Sequence, residues 1–553
     1  MSKMNRIMVK GKPFLSLGGQ SHNSSSYVLD KMGPTWQSIK AIGGNTLATP
    51  VPWDAFEPEE GQFNYKFVTD MIDEARRQGI KLAFLWFATW KNGSMQYCPT
   101  WVKRDPVRFQ RCLLKDGTAI HQLSAHSRES LEADKKAYVE LIKLIKEYDS
   151  EEQTVIAVQV ENEAGIQGGT RRDFSPLGEA AFAETVPAYI TDYCKENPCC
   201  ILAGIWKKNG CKEGANWQDT FGYYGAEAVT AHAIACYIDE ICAAGKEIYP
   251  DLFMYLNVWL DGGSRGMGQN LAGIDWPSGC ANIHNLDIYY ATLKYIDTVA
   301  PDNYQSTLFR HREITDAYAN PEKDYPLYVP ESAGAGINIG QMFYAFAEKK
   351  AIGYHIFGSE SCLEAPDFMN LTQWGQQIMH NFTMLSAAEP LIFEYQDKDR
   401  IWSAVQEDSE AAVVLDGFDG DYVMKVTFVG NDGDWPSSDF RHRIRFQEKP
   451  AEGPFRAPEP GRAMVFQESE KVFYFIGQNA TVTIEKRPPM DGSIPFLYGN
   501  ATLMHVNLES VSTTEGHFDE DGKYQIDLVR SGDEGRHGIW LRYDVGVVRV
   551  EMT

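Results

Sequence analysis

The chain has 553 residues, of which 43% are hydrophobic and 23% charged, the composition of an ordinary globular protein with two or three domains. Its 52 basic and 76 acidic residues give a net charge of −24, which disfavours nucleic acids and anionic membrane surfaces as partners. No apolar segment of signal-peptide length opens the chain, and no run of about 18 apolar residues occurs. The sequence therefore predicts a cytoplasmic protein without a membrane span.

Eight short apolar runs in the first 390 residues are the candidates for strands. They cover residues 14–20, 45–51, 81–88, 155–161, 252–259, 295–304, 325–331 and 351–358. Segments with helical spacing lie between them; in 133–148, Tyr138, Leu141, Ile142 and Ile145 share one helix face. Strands that alternate with helices indicate parallel βαβ units, and eight of them predict an α/β fold, a (β/α)8 TIM barrel.

An open doubly wound sheet is the rival fold. Such a sheet normally carries a glycine-rich phosphate turn after its first strand. The segment that follows here, "LGGQSHNSS" (17–25), is not of that type, and no P-loop pattern occurs in the chain. The sequence therefore favours the barrel.

Two further regions complete the predicted architecture. The connection between the fourth and fifth strands, about residues 165–250, is long enough to carry extra helices on the upper rim of the barrel. After residue 390 the pattern changes to strand-like alternation punctuated by turn residues. We expect residues 1–390 to form the catalytic barrel and residues 391–553 an all-β, sandwich-like domain, whose role we expect to be structural rather than sugar-binding.

The ten cysteines all lie between Cys98 and Cys362, which is not the pattern of a disulfide framework. Cys194, Cys199 and Cys200 form the tightest group and are the one candidate for a zinc site. No CxxC pair and no nearby histidine accompanies them, so we expect free thiols, no metal and no cofactor.

Polar residues close the predicted strands, where a barrel enzyme places its chemistry. Amides and carboxylates bind sugar hydroxyls, and aromatic faces cover the apolar face of a pyranose. The candidates for substrate binding are Gln20, His22, Trp53, Glu57, Trp86, Trp90, Asn162, Trp259, Tyr304 and His355.

Glu163 and Glu331 end the fourth and seventh strands, on opposite sides of the barrel mouth. Glycoside hydrolysis needs two carboxyls that flank one bond, about 5–5.5 Å apart in a retaining enzyme. Like charges at that distance drive the two pKa values apart, so that one carboxyl is an acid and the other a nucleophile. Either glutamate alone is better explained as a helix cap or an ion-pair partner, but the pair favours catalysis.

The segment "QVENEAG" (159–165) resembles the "QxENEYG" signature of the β-galactosidases in glycoside hydrolase family 35. Residues 43–65 resemble the second-strand segment of that family and of family 42, and "YCPTWV" (97–102) is similar to the "P-x-W" after their third strand. The resemblance covers about residues 10–360. The small residues after Glu331, and Phe56 in the place of a histidine, depart from the pattern and indicate a divergent relative.

The resemblance implies a retaining (β/α)8 glycosidase. It implies that Glu163 is the general acid/base, Glu331 the nucleophile and Asn162 the ligand of the sugar 2-hydroxyl. By position, Tyr304 is the candidate to hydrogen-bond the nucleophile. Glu161 shares the strand face of Glu163 by simple alternation, and we expect it to be a supporting residue paired with a basic side chain.

The sequence thus predicts an exo-acting β-galactosidase that acts on an oligosaccharide or small glycoside and uses no cofactor. Three other sugars remain as alternatives: a β-glucosidase, a β-xylosidase or an α-L-arabinopyranosidase would need the same carboxyls. A non-catalytic carbohydrate-binding protein is the alternative of another class. A homo-oligomer is an open alternative to a monomer.

Overall fold

The computed structural model describes residues 5–261, 271–305, 307–320, 324–334, 337–365, 367–407, 412–428, 459–487, 510–532 and 538–553. Eight parallel strands and their helices form a barrel in the first two thirds of the chain. The strands are β1 Ser16–Gln20, β2 Thr46–Pro52, β3 Lys81–Lys91, β4 Val155–Asn162, β5 Phe253–Val258, β6 Thr298–Asn303, β7 Tyr328–Ser332 and β8 Gly353–Phe357.

Strand β7 closes the barrel in two short pieces on either side of Pro330. Tyr328–Val329 pairs with β8, and Glu331–Ser332 pairs with β6. Proline has no N–H to donate, so it interrupts the ladder and lets the strand change neighbours. All pairings around the barrel are parallel, and the predicted (β/α)8 fold is confirmed.

Fifteen α-helices lie in the described part of the chain, and eight of them follow the barrel strands. These eight are α1 Gly33–Ala41, α3 Tyr65–Gln78, α5 Arg128–Asp149, α10 Gly225–Ile248, α11 Leu286–Thr292, α12 Leu308–Tyr318, α13 Ile337–Glu348 and α14 Gln373–Ala387. The others are α2 Trp53–Phe56, α4 Thr100–Arg104, α6 Pro176–Ala183, α7 Ala188–Glu196, α8 Ile201–Lys208, α9 Trp217–Phe221 and α15 Glu389–Asp397.

The helix α5 shows why these segments fold as they do. The side chain of Ser127 accepts a hydrogen bond from the backbone N–H of Ser130 and so caps the helix. The predicted apolar face, with Tyr138, Leu141, Ile142 and Ile145, is buried against the strands. Fully burying one such side chain contributes about 1.5–3 kcal/mol.

The long connection between β4 and β5 holds the four short helices α6 to α9 and then α10. Helix α10 packs against α5 and β4, as the regular fourth helix of a barrel does. The additional helices therefore precede α10, within residues 176–221. In the described part of the chain, no helix is long and apolar enough to cross a membrane.

The C-terminal region is an antiparallel β-sandwich of two sheets. The six-stranded sheet contains, in order, β9 Ile401–Val405, β12 Arg462–Ser469, β13 Val472–Gln478, β18 Val547–Met552, β15 Ser510–Phe518 and β16 Tyr524–Val529. The four-stranded sheet contains β10 Ala412–Leu415, β11 Tyr422–Phe428, β14 Ala480–Lys486 and β17 Ile539–Leu541. The predicted boundary at residue 390 falls in α15.

The chain crosses from one sheet to the other at Asn479, inside the continuous apolar run 471–486. Strand β13 ends before this residue and β14 begins after it, and the φ of Asn479 is +54°. Asparagine tolerates this left-handed conformation better than most residues.

Strands β12 and β13 of the six-stranded sheet are buried on both faces, whereas the edge strand β16 is largely exposed. Phe473 and Phe475 point into the sandwich, while Tyr474 and Ile476 join the core of the barrel helices. The guanidinium of Arg462, on β12, donates to Asn381 Oδ1 of helix α14 at 2.5 Å. One continuous core therefore joins the barrel to the C-terminal sheet.

Candidate active site

The carboxyl ends of β4 to β7 bring Glu163, Asn257, Asp302 and Glu331 together. Asn257 lies in the centre of this group. Its Oδ1 accepts from the backbone N–H of Glu163 at 2.9 Å, and its Nδ2 donates to Asp302 Oδ2 at 2.8 Å and reaches Glu331 Oε1 at 3.5 Å. All four residues are buried. The two glutamates predicted from the sequence therefore contact one shared amide, Glu163 through its backbone N–H and Glu331 through its carboxyl.

Tyr304 follows strand β6 and is the neighbour that the sequence predicts for Glu331. Its hydroxyl donates to Glu331 Oε2 at 2.6 Å. This hydrogen bond orients the carboxyl of Glu331.

Glu163 stands on a strained turn at the end of β4. Its φ is +46°, a left-handed conformation that a non-glycine residue adopts rarely and that costs on the order of 1–3 kcal/mol. The backbone N–H of Gly93 donates to the Glu163 carbonyl at 3.2 Å, and the side-chain amide of Asn92 donates to Glu163 Oε2. The end of β3 therefore fixes the carboxyl of Glu163.

Asp302 is a third carboxyl in this group, and the sequence analysis missed it. Its side chain is hydrogen-bonded to that of Glu163, and it lies opposite Glu331 in the β6–β7 register. Burial raises the pKa of Asp302 well above its usual range, and the charges of Glu331 and Glu163 raise it further. The available signal was its position directly before Asn303 and Tyr304, at a strand end.

Lys91 is a second residue that the sequence analysis missed. It ends strand β3, is buried, and its ammonium donates to Asn162 Oδ1 at 2.8 Å. The same ammonium lies 4.7 Å from the centre of the Phe87 ring. Because Lys91 occupies the oxygen of the Asn162 amide, the Nδ2 of that amide is left as the group that can donate to a ligand.

Three of the predicted substrate-binding residues, Gln20, Trp90 and Asn162, carry buried polar atoms without a partner among the described residues, and two of the three are amides. Asn162 Nδ2 has no hydrogen-bond partner among the described residues, and neither does either side-chain atom of Gln20 at the end of β1. An unpaired buried donor or acceptor costs about 1–3 kcal/mol. Such atoms at strand ends are typical of a site that a polar ligand completes.

Glu161 does not point toward the carboxyls of Glu163 and Glu331. Its φ of +64° breaks the strand alternation, and its carboxyl lies at the wall between β3, β4 and helix α5. There it accepts from the backbone N–H of Trp90 at 2.7 Å and shares a hydrogen bond with Asp134. The expected basic partner is therefore an acid. Burial, followed by the charge of Asp134, raises the pKa of Glu161 well above its usual range.

Three residues predicted to bind substrate have structural contacts on the helix side of β2 and β3 instead. Trp86 Nε1 donates to Asp134 Oδ1 at 2.9 Å. Trp53 Nε1 donates to Glu57 Oε2 at 2.7 Å, and Glu57 also accepts from the backbone N–H of Gly61. Both indoles are fully buried among other aromatic side chains, which corrects their interpretation as stacking platforms.

His355 and His22 also lie apart from the carboxyls. His355 is inside the barrel, where its Nε2 hydrogen-bonds the hydroxyl of Ser16, the first residue of β1. Burial lowers the pKa of His355 to about 3, so the ring is neutral. His22 is exposed and hydrogen-bonds Ser361 through Nε2. The structure gives neither histidine a contact with the catalytic group.

Trp90 and Trp259 stay near the strand ends. Trp90 packs edge-on against Tyr237 at 4.8 Å, and its Nε1 has no partner among the described residues. Trp259 is half-buried beside Trp276. Trp259 therefore remains a candidate for stacking on a ligand, whereas Trp90 is as buried as Trp53 and Trp86 and offers only its indole N–H.

No group of three or more His, Cys, Asp or Glu side chains within the described ranges could hold a metal ion. Cys194 is buried, Cys199 is exposed, and Cys200 Sγ accepts from the backbone N–H of Ala203 as the cap of α8. The three thiols therefore do not converge.

Two family models match the chain. Residues 30–197 match the glycoside hydrolase family 42 model, described as "Beta-galactosidase", and residues 378–542 match a domain of unknown function, DUF5597. By the first of these matches, residues 30–197 are similar to a family of glycoside hydrolases. No curated protein matches the chain.

Several solved structures are similar to the chain. The β-galactosidase of Bacillus circulans sp. alkalophilus is 13% identical over 68% of this chain and 56% of its own, with a TM-score of 0.44. That of Rahnella sp. R3 is 15% identical over 71% and 58%, with a TM-score of 0.47. The catalytic domain of β-amylase from Paenibacillus polymyxa is 12% identical over 66% and 96%, with a TM-score of 0.44. The chain thus spans less than two thirds of the two β-galactosidases.

Proposed function

We propose that the chain is a retaining, exo-acting glycoside hydrolase with β-galactosidase activity. One observation carries the proposal: Glu163 and Glu331, at the ends of β4 and β7, meet around the single amide of Asn257. Their surroundings differ, since Tyr304 donates to Glu331 whereas Glu163 is hydrogen-bonded to another carboxyl. Two carboxyls with different proton affinities on one site are the requirement for glycoside hydrolysis.

In the proposed mechanism Glu331 attacks the anomeric carbon while the bond to the glycosidic oxygen breaks. Glu163 gives its proton to that oxygen, and the sugar remains as an ester of Glu331. Glu163 then takes a proton from water, whose oxygen attacks the same carbon and releases Glu331. No metal or organic cofactor enters either step.

The unpaired amides support a sugar as the ligand. Asn162 Nδ2 and both ends of the Gln20 side chain are buried without partners, and sugar hydroxyls both donate and accept hydrogen bonds. Asn162 immediately precedes Glu163, so a sugar that it holds has its anomeric carbon near the acid. We assign Asn162 to the hydroxyl next to that carbon.

Galactose as the sugar rests on the match of residues 30–197 to the β-galactosidase model. A panel of nitrophenyl glycosides tests it: β-galactoside, β-glucoside, β-xyloside and α-L-arabinopyranoside. We expect the highest kcat/KM on the β-galactoside. A preference for another member would correct the sugar, and no turnover of any member would contradict glycosidase activity.

Two variants test the assigned roles. Glu331→Gln removes the nucleophile, so less than a few per cent of the activity should remain while the thermal unfolding midpoint stays near that of the wild type. Glu163→Ala removes the acid, so it should slow substrates with poor leaving groups far more than activated aryl glycosides. Equal losses on both kinds of substrate would contradict the role of Glu163.

A further inference from the structure

We propose that Asp302 and Glu163 share one proton, and that Asp302 is thereby the positioning residue that keeps Glu163 protonated at neutral pH. The inference rests on the proposed function and assigns a role to a carboxyl that the proposed mechanism does not use. It follows from the contacts of Asp302, which connect it to both catalytic glutamates.

The first step is the contact between the two carboxyls. Asp302 and Glu163 are hydrogen-bonded through their side chains. Two carboxylates have no hydrogen to offer each other, so this bond needs a proton between them. Asp302 Oδ2 is already the acceptor for Asn257 Nδ2 at 2.8 Å, which orients the carboxyl. The other oxygen, Asp302 Oδ1, is buried and has no hydrogen-bond donor among the described residues.

The second step is the charge around the pair. Glu331 faces it from β7, and Lys91, at the end of β3, is the one cation that acts on Asp302 in the described part of the site. Tyr304, on the same strand as Asp302, directs its hydroxyl to Glu331. Tyr255, on β5, is buried beside Asp302 and Glu331 and offers a neutral phenol.

Three buried carboxyls near one ammonium cannot all be ionised at low cost. Burial and the charges of Glu331 and Glu163 raise the pKa of Asp302 well above its usual range, while Lys91 lowers it by less. Glu331 Oε2 accepts from the Tyr304 hydroxyl, so the carboxyl contact that needs a proton is the one between Asp302 and Glu163. The pKa values of such a pair belong to both groups together.

The shared proton fits the two chemical steps. In the first step the pair gives its single proton to the departing glycosidic oxygen, as Glu331 forms the bond to the anomeric carbon. The pair is then doubly ionised, which makes Glu163 a stronger base. In the second step the pair takes one proton from water, the water oxygen bonds to carbon and the bond to Glu331 breaks. The proton count is the same at the start and at the end.

The variant Asp302→Asn tests the pair. The amide keeps an acceptor for Asn257 and a donor for Glu163 but removes the neighbouring negative charge. Glu163 then loses its proton at lower pH, so the basic limb of the kcat/KM profile should move down by about one pH unit or more. Asp302→Ala should show the same displacement together with lower activity at every pH.

A matched control and a second measurement complete the experiment. The control is Glu389→Gln, which also removes a carboxyl whose pKa is raised by burial. Glu389 lies on α15 and is hydrogen-bonded to the backbone of Leu15, before β1. The basic limb of the kcat/KM profile of this variant should stay where it is in the wild type. Infrared titration of the protonated carboxyl band should show the same displacement in Asp302→Asn without substrate.

Failure of this inference and failure of the proposed function give different results. An active wild type whose basic limb and infrared titration are both unchanged by Asp302→Asn would overturn the shared proton. A uniform loss of activity without displacement would likewise overturn it, as a purely structural effect. A wild type without activity on any glycoside of the panel would instead overturn the proposed function.

Discussion

At the residue scale, the site depends on side chains that support the two glutamates from β3. Lys91 holds the oxygen of Asn162, and Asn92 donates to Glu163. The last residue of β3 and the residue that follows it thus hold Asn162 and Glu163 at the end of β4. A loss of either contact should affect turnover more than folding.

Lys91→Met tests this support. The substitution leaves Asn162 Oδ1 without its donor and removes the cation near Asp302, so the amide is free to turn. A hydrogen bond to a charged group is worth about 1.5–3 kcal/mol, and we expect kcat/KM to fall by about 10–100-fold on that scale. The matched control is Lys81→Met, at the opposite end of the same strand, where the ammonium donates to the Gln153 carbonyl. Equal kinetic losses in the two variants would contradict the role of Lys91.

Glu161→Gln tests the acid pair with Asp134. As pH rises above the usual value of 4.5, the unfolded chain loses the proton of Glu161 while the folded chain, whose pKa is raised, keeps it. The free energy of unfolding therefore falls with pH in that interval. Glutamine cannot ionise, can still accept from Trp90 and can donate to Asp134.

The measurement for Glu161→Gln is denaturant unfolding at several pH values from about 5 to 8.5. We expect the variant to gain stability relative to the wild type as pH rises. Glu161→Ala serves as the control: it also cannot ionise, but it leaves the Trp90 N–H unpaired, so it should be about 1–3 kcal/mol less stable than Glu161→Gln at all pH values. A pH slope of Glu161→Gln identical to that of the wild type would contradict the raised pKa.

At the element scale, strand β13 is the clearest case of an element buried on both faces. Its residues alternate between the sandwich and the barrel helices, with Phe475 on one side and Ile476 on the other. This double burial explains why the run reads as continuously apolar rather than alternating.

Ile476→Ala tests the face that meets the barrel. We expect a loss of about 2–4 kcal/mol in the free energy of unfolding, the range for such core truncations. Ile526→Ala, on the edge strand β16 of the same sheet, is the matched control, because Ile526 is 59% exposed. It should change stability by less than about 0.5 kcal/mol. Similar losses at the two positions would contradict the burial of Ile476.

At the scale of the whole molecule, the barrel and the sandwich share one apolar core, and Arg462 with Asn381 adds a buried polar contact between them. We therefore expect calorimetry to show a single unfolding transition. We also expect a fragment that ends at Lys398 to be insoluble, because it would expose the apolar faces of α13 to α15. Two separate transitions, or a soluble and active fragment, would contradict this expectation.

The periodicity of the sequence was enough to predict the barrel, because each strand is a compact apolar run and the apolar residues of α5 recur at helical spacing. It was enough to predict that Glu163, Glu331 and Tyr304 lie at the same rim, because parallel strands end there, and their catalytic roles stay predictions. It failed for Glu161, where a positive φ reverses the direction that alternation predicts. It failed for Trp53, Trp86 and His355, because the residues at a strand end can lie on either face of the strand, and packing decides which face meets the ligand.

Asp302 and Lys91 could not be singled out from their positions in the sequence alone. An aspartate beside an asparagine at a strand end, or a lysine that ends a strand, is in most proteins a solvated residue. Their significance comes from burial and from partners on other strands, namely Asn257, Glu163 and Asn162. Such contacts join residues far apart in the chain.

The most direct test of the central claim is to trap the covalent intermediate. A 2-deoxy-2-fluoro-galactoside with an activated leaving group should inactivate the enzyme, because the fluorine slows the second step more than the first. Mass spectrometry of the digested protein should then find one fluorosugar on the peptide that contains Glu331, and none in Glu331→Gln. A label on Glu163, or turnover with inversion and without any adduct, would contradict the account.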